Sequence, residues 1–452
     1  MPMRRQPKII HIGGEKCVTG SCHLLQVKGL NIMVDCGLTQ GHDAGATMDS
    51  WPVRPDQLDF LFLTHAHIDH IGRLPELIQK GFKGEIITTH ATKALLEPML
   101  NDAMGLMSLN GRKIAHIENI IDDLSWGFEY NLSFDLGKDL KFKLQPAGHI
   151  LGSCSIHLRV EDPAWSVLFS GDLGAKDTPI LPDPQNPEPA DLVVLESTYG
   201  DRLHDDRVHR IQRLGRVLNR ALADGGKVFI PAFALGRTQE LLYEMDRLVS
   251  DREWQGAFPM LDPGAAVPVF VDTPLGLNIT KIYAGLSEFW DREAGELYRS
   301  GDHPLKFKGL YGVERSRDHH ELMRVPGPAV IIAGSGMCTG GRIVNHLKAG
   351  LAKPENDVCF VGYQADGTPG RDIQRYARKP GGYVYLDGQK VEIKAGIHVL
   401  TGYSAHADQN GLVEWVQAMP QKPAAIKLVH GETRARRALA GVLKEKGYQV
   451  KG

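Results

Sequence analysis

Leu63-Thr64-His65-Ala66-His67-Ile68-Asp69-His70 sets three histidines and an aspartate within six positions, directly behind the apolar run Phe60 to Leu63. A short apolar, aromatic-rich run of this kind reads as a buried strand that delivers the polar cluster on the loop at its end. His65 and His67, two residues apart, point the same way from an extended segment. Asp69 and His70 fall where Ile71 to Ile78 starts to read as a helix capped by Gly81, so they face a second point in space, and one loop can serve two metal ions. Imidazole and carboxylate without thiolate suit a hydrolytic zinc or manganese site, because structural zinc usually recruits cysteine.

Composition sets the outer limits. A chain of 452 residues, 42% hydrophobic and 23% charged, is ordinary globular material with length for two or three domains. The basic start from Met1 to Lys8 runs straight into His11-Ile12-Gly13-Gly14 with no apolar core of a signal peptide, and no stretch approaches a membrane span, so a cytoplasmic protein is expected. Six scattered cysteines (Cys17, Cys22, Cys36, Cys154, Cys338, Cys359) form no CxxC pair and indicate neither a disulfide framework nor a thiolate zinc site. A formal net charge of -2 advertises no polyanionic partner, so any nucleic-acid surface must be local.

The pattern of strand end plus polar residue recurs. His149 stands in Gly148-His149-Ile150-Leu151-Gly152, Asp172 follows the run Val167 to Ser170, and His430 follows Ile426 to Val429. Each alone reads more often as a turn or capping residue than as a ligand, but with the first cluster they complete two coordination spheres. Asp35, after another apolar run, either orients a ligand histidine or closes an Asp-Gly-type turn.

In order and context, HAHIDH with GHILGS, SGDLG and a late histidine resembles the metallo-β-lactamase superfamily. The resemblance implies a four-layer αββα sandwich holding two metals bridged by a hydroxide and a carboxylate. Carried across by match, His65, His67, His149 and Asp172 would hold one metal, and Asp69, His70, the bridging Asp172 and His430 the other. Two divalent ions, zinc with manganese chemically admissible, are therefore expected. Lactamase activity fits poorly, since many lactamases place a cysteine in the second site and none has that position here.

More than two hundred residues separate Asp172 from His430, so something domain-sized is inserted. The insert alternates strands (Lys227 to Ile230, Val269 to Val271, Val330 to Ala333, Val358 to Gly362) with helices (Leu235 to about Val249, Ile343 to Leu351), which argues for an α/β layer with a largely parallel sheet. Glu196 in Leu195-Glu196-Ser197-Thr198, His406 in Ser404-Ala405-His406-Ala407-Asp408, and His430 resemble motifs A, B and C of the β-CASP nucleases, the branch that includes ribonuclease J and the pre-mRNA end-cleavage endonuclease. The organisation expected is a metallo-β-lactamase domain over 1-200, an inserted β-CASP domain over 201-394, and the rest of the first domain over 395-452. By carry-over Asp69, Glu196 and His406 are catalytic, with His406 protonating the leaving oxygen and Glu196 orienting it. A histidine at motif C resembles the RNA-processing members, so the expected partner is single-stranded RNA, with no membrane and with a monomer and a dimer both open.

The insert carries 27 Lys+Arg against 25 Asp+Glu, so charge-driven RNA affinity should be modest. Ser335 and Gly336, in the glycine-rich run Gly334 to Gly341 before a helix, are candidate phosphate contacts, because backbone amides at such a loop bind anions well. Arg237 and Ser404 join them through the resemblance. The basic residues from Lys427 to Lys451 read as a solvated helix face, and His11, His23, His90, His116, His319, His320 and His398 as structural or surface residues, with His319-His320 in a charged loop open to adventitious metal. Two other readings stand beside the ribonuclease: an RNA-binding specificity subunit with little activity, and a small-molecule ester or thioester hydrolase on the same scaffold. Intact ligands argue against the first and the long insert against the second.

Overall fold

The computed structural model describes residues 7–39, 51–204, 207, 209–254 and 256–451. The basic start up to residue 6 lies outside them. The chain divides into two compact units, one formed by Met1–Leu203 with His406–Gly452 and the other by His204–Ala405.

In the first unit two sheets face each other. One orders its six strands Lys8–Gly13, Cys22–Val27, Leu30–Val34, Phe60–Phe62, Glu85–Thr89 and Ser125–Phe128 in sequence. The other has seven, ordered Val450–Lys451, Ala425–Leu428, Leu192–Leu195, Trp165–Phe169, Cys154–Val160, Leu140–Pro146 and Ser133–Asp135. Between them lie Leu25, Ile32, Val34, Phe62 and Ile87 from the first sheet and Phe142, Ile156, Leu158, Val167, Phe169 and Val194 from the second.

Adjacent strand residues point to opposite faces, and here both faces are covered. Val194 enters the space between the sheets, while Val193 and Leu195 meet the helices Gln409–Gln417 and Thr433–Glu445 on the outside. That is why these strands are apolar throughout instead of alternating. Helices His90–Leu106 and Gly111–Leu124 cover the first sheet in the same way, giving the αββα layering.

The second unit is built on a six-stranded sheet in which every pairing is parallel, ordered Leu310–Gly312, Val269–Asp272, Ala329–Ala333, Lys227–Pro231, Asp357–Phe360 and Gly396–Val399. The alternation expected of the insert is present. Its helices include Arg237–Ser250 and Arg342–Gly350, and five further helices join them, among them Arg210–Leu222, Pro274–Gly285 and Ser316–Leu322. A separate hairpin pairs Tyr383–Leu386 with Gln389–Glu392. Its two loop residues, Asp387 and Gly388, both have positive φ (46° and 74°), the turn that matches the twist of paired strands.

One local expectation is corrected. The segment after the histidine cluster is not a single helix from Ile71 towards Gly81 but two short ones, Ile68–Ile71 and Leu74–Gln79, so Asp69 and His70 sit within the first. Pro75 near the start of the second cannot donate a backbone N–H, which suits a helix start and not an interior.

Phe62 is fully buried and meets Phe142 edge to face at 5.1 Å between ring centroids. Phe62→Ala is expected to lower the free energy of unfolding by about 3–5 kcal/mol, read by equilibrium urea unfolding of the metal-loaded protein.

Candidate metal centre

Five of the side chains singled out in the first unit lie just beyond the carboxyl ends of strands. His65 lies beyond Phe60–Phe62, His149 beyond Leu140–Pro146, Asp172 beyond Trp165–Phe169, Glu196 beyond Leu192–Leu195 and His430 beyond Ala425–Leu428. Backbone contacts lock these loops against one another. Gly37 sits behind the first cluster so closely that a Cβ there would lie 1.6 Å from the Asp69 carbonyl oxygen. Around it Ser21 N donates to Asp69 O (2.8 Å) and Cys36 N to His70 O (2.6 Å). Gly174 meets Gly148 in the same manner, a Cβ falling 1.9 Å from the Gly148 oxygen, and this joins the loops of His149 and Asp172. His406, far along the chain, is brought in by a bridge between residues 174 and 406 and by Ala407 N donating to Leu173 O (2.7 Å).

The ligand atoms fall into two groups that share Asp172. His65 Nε2 and His149 Nε2 lie 3.6 and 3.5 Å from Asp172 Oδ2, and each is 3.1 Å from His67 Nδ1. On the other side His70 Nε2 and His430 Nε2 lie 3.3 and 3.4 Å from Asp172 Oδ1, and 3.9 and 3.8 Å from Asp69 Oδ2. A tetrahedron with metal–ligand bonds of about 2.0–2.1 Å has edges of about 3.3–3.4 Å, and both groups approach that spacing.

The donor chemistry fits as well. Asp172 is 2% exposed, and its Oδ1 and His70 Nε2 are buried without a hydrogen-bond partner, a costly arrangement unless a cation takes both. Burial, reinforced by neighbouring imidazoles, holds His65 and His149 well below the ordinary histidine range, and burial carries His67 to about 4. These three imidazoles are therefore neutral, with lone pairs to offer. At His70 burial also pulls down, but Asp172 and Asp35 outweigh it and raise the ring well above the ordinary value, so a metal arriving there displaces a proton. Asp172 is pushed up by burial and pulled further down by His430 and His70.

Ring orientation is set from behind. Asp35 Oδ2 accepts from His70 Nδ1 (2.7 Å), which turns His70 Nε2 towards Asp172. Asp35 also accepts from the Thr64 amide (2.8 Å) and from its hydroxyl (3.0 Å), and that hydroxyl is 3.0 Å from His65 Nδ1. One buried carboxylate thus fixes a histidine of each group, one directly and one through Thr64. Sequence reasoning missed Thr64, and also Ser153, whose hydroxyl accepts from the amide of His149 (2.9 Å). Neither has a signal beyond lying next to a ligand or a few residues past it. Asp35 (φ 59°) and His430 (φ 48°) are in the left-handed region, held there by Asp35 N donating to Phe62 O (2.8 Å) and His430 N to Gly14 O (2.6 Å). Such backbone costs about 1–3 kcal/mol and clusters at functional sites.

His406 and Glu196 adjoin the centre. His406 Nδ1 is 3.1 Å from Glu196 Oε1 and 3.9 Å from Asp172 Oδ2. Glu196 also accepts from Leu173 N (2.8 Å) and Thr198 N (3.1 Å), so its carboxylate is fixed. Burial lowers the His406 pKa, but Glu196 and then Asp172 more than compensate, and in the metal-free chain it stands at about 9.

The four candidate phosphate contacts lie in the second unit. Arg237 opens the helix Arg237–Ser250, is buried and pairs with Glu240. Ser335 Oγ accepts from Thr339 N (3.1 Å) within the glycine-rich loop, and Ile343 N donates back to Gly334 O (2.9 Å). Gly336 packs against the Phe233 ring, and Ser404 is buried with its carbonyl accepting from Arg207.

His319 is not in a charged loop but buried on the helix Ser316–Leu322. It and His346 each lie 2.6 Å from Asp272 Oδ2, while Arg342 donates to Asp272 Oδ1 (2.7 Å). Those short contacts and the arginine satisfy the carboxylate as a hydrogen-bonded network without any metal.

Family models match nearly the whole chain: the metallo-beta-lactamase superfamily over residues 16–231, the Beta-Casp domain over 238–373, and a Zn-dependent metallo-hydrolase RNA specificity domain over 390–451. The fold and its histidine–aspartate clusters define a metal-dependent hydrolase using divalent ions. The chain belongs to the Beta-Casp branch of the metallo-beta-lactamase superfamily. It is 36% identical over 447 residues to Ribonuclease TTHA0252 of Thermus thermophilus, covering 98% of this chain and 97% of that one. It is 30% identical to Transcription termination factor FttA of Methanosarcina mazei, covering 95% of this chain and 67% of that protein, and 30% identical to FttA of Pyrococcus horikoshii, covering 94% and 66%. A crystal structure of a protein of unknown function from Enterococcus faecalis V583 shares the fold, with a TM-score of 0.56, 12% identity, and 99% and 97% of the two chains covered.

Asp35→Ala is expected to lower metal affinity 10- to 100-fold, measured by chelator competition and by metal content after dialysis. A second outcome follows from His406. Its raised pKa means that the ion pair stabilises the metal-free protein fully below 6.5 and loses that contribution as pH rises through about 9. Melting temperatures of metal-free parent and His406→Gln should therefore differ most below pH 6.5 and converge as the pH rises past about 9.

Proposed function

We propose that this chain is a two-metal ribonuclease that hydrolyses phosphodiester bonds of single-stranded RNA in the cytoplasm. The observation that carries the reading is Asp172, with one carboxylate oxygen facing each group of ligand atoms and the His406–Glu196 pair beside it. In this reading His65, His67, His149 and Asp172 hold one ion, and Asp69, His70, His430 and Asp172 the other, with zinc favoured by the histidine-rich donors. Bound there, the ions lower the pKa of water into the neutral range and offset charge on phosphate oxygens.

The chain's own residues supply the rest. Glu196 accepts from His406 Nδ1, which sets the ring and favours its charged form, and the proton at His406 Nε2 goes to the leaving oxygen. Asp69 faces His70 and His430 and supplies the second group's remaining carboxylate. RNA is favoured as substrate by the RNA specificity model over residues 390–451 and by a full-length relative named a ribonuclease. Arg237, Ser335, Gly336 and Ser404 are proposed to contact its phosphates, Ser335 and Gly336 through the glycine-rich loop.

The test is incubation of purified protein with matched single-stranded RNA and DNA labelled at either end. RNA should be cut and DNA spared, and a chelator should abolish cutting. His406→Ala should lower the rate by roughly 10²–10⁴-fold with metal content retained, whereas Asp69→Ala should lose both metal and activity. His406→Ala cutting as fast as the parent would remove the assigned acid. The product ladder separates internal from end-wise cutting.

A further inference from the structure

A chain with almost no net charge has to gather its cations locally if it is to hold a polyanion. The segment 371–394 carries six Lys+Arg (Arg371, Arg375, Arg378, Lys379, Lys390, Lys394) against three acids (Asp372, Asp387, Glu392). Across the whole insert the two signs nearly balance. Arg375, Arg378, Lys379 and Lys390 have no carboxylate at salt-bridge distance among the described residues, while Arg371 and Lys394 pair with Asp366 and Glu392.

The same segment presents exposed aromatic rings. The hairpin buries Val384, Leu386 and Val391 in the core of the second unit, so the alternate residues face out. Tyr383 and Tyr385 are 41% and 58% exposed, with ring centroids 5.7 Å apart and planes at 89°. Lys390, opposite Tyr385 in the register, places its ammonium 4.1 Å from the centre of the Tyr383 ring. Lys379 does the same at 4.9 Å over Tyr376, on the helix Pro369–Tyr376 that packs against the hairpin.

Exposed tyrosines beside uncommitted cations are the components of a single-strand binding face. A base stacks on a ring whatever its sequence, and its phosphate meets the cation. No aliphatic side chain of the hairpin is left on this face to receive a partner's apolar helix. We propose that the outer face of the hairpin, centred on Tyr383, Tyr385 and Lys390, is a stacking platform for unpaired bases of RNA. The platform rests on the reading of the chain as a ribonuclease and adds a binding surface built from residues outside the metal ligands and the glycine-rich loop.

The test uses the full metal-loaded chain carrying His406→Ala, so that RNA is bound without being consumed, and reads fluorescence anisotropy of a labelled oligoadenylate. Tyr383→Ser with Tyr385→Ser should weaken binding roughly tenfold, the fold-change of about one lost base–ring stack, with an unchanged melting temperature. Tyr383→Phe with Tyr385→Phe should bind as the parent does, since the rings remain. Equal binding by the serine and parent proteins overturns the platform, as does a phenylalanine pair that falls as far as the serine pair. Loss of self-association on serine substitution, with RNA affinity intact, would assign the face to a second copy of the chain and also overturn it. If the parent cuts RNA while the serine pair binds normally, only this inference fails. If the parent neither binds nor cuts RNA, the ribonuclease reading fails first.

Discussion

A single carboxylate, Asp172, sits 2% exposed within 3.6 Å of the ring nitrogens of four buried histidines, His65, His70, His149 and His430. Taking a charge out of water in this way costs several kcal/mol unless opposite charge surrounds it. The fold answers that constraint at several ranges. Asp35 and Thr64 turn histidines of both groups towards it, the glycine contacts at residues 37 and 174 bring their loops within backbone distance, and the αββα layers place strand ends of both sheets on one rim. Removing the anion would leave His65 and His149 with no carboxylate at ion-pair distance among the described residues.

Much of this was legible in the residues, for a physical reason. Strands covered on both faces must be apolar throughout, so Phe60 to Leu63 and Val167 to Phe169 announce themselves, and a ligand at a strand end needs no long-range information to be noticed. What the sequence could not disclose is which loop meets which. His406 and Glu196 are 210 positions apart, and the bridge between residues 174 and 406 that unites them depends on tertiary packing. The break between helices Ile68–Ile71 and Leu74–Gln79 was hidden by an apolar pattern that runs through both, although Pro75 marked it. The hairpin turn Asp387-Gly388 carries a readable two-residue signal, whereas the burial of His319 depends on a partner, Asp272, 47 residues away.

The two units divide the chemical labour by residue type. In the first, histidine and aspartate are buried and left short of hydrogen bonds, which reserves them for cations. In the second, the comparable cluster at Asp272 is closed on itself by Arg342, His319 and His346, and so braces the ends of a strand and two helices. The contrast shows that histidine next to aspartate signifies little until the remaining lone pairs are traced.

The metal-facing residues do not arrive together in time. The first unit is assembled from residues up to Leu203 and from His406 onward, so a ribosome must thread the whole of the second unit before His406 and His430 emerge. A nascent chain that has reached residue 203 already holds His65, His67, Asp69, His70, His149 and Asp172, yet lacks both the His406 imidazole and the last ligand atom of the second group. The order of synthesis keeps the centre incomplete until His430 has been made.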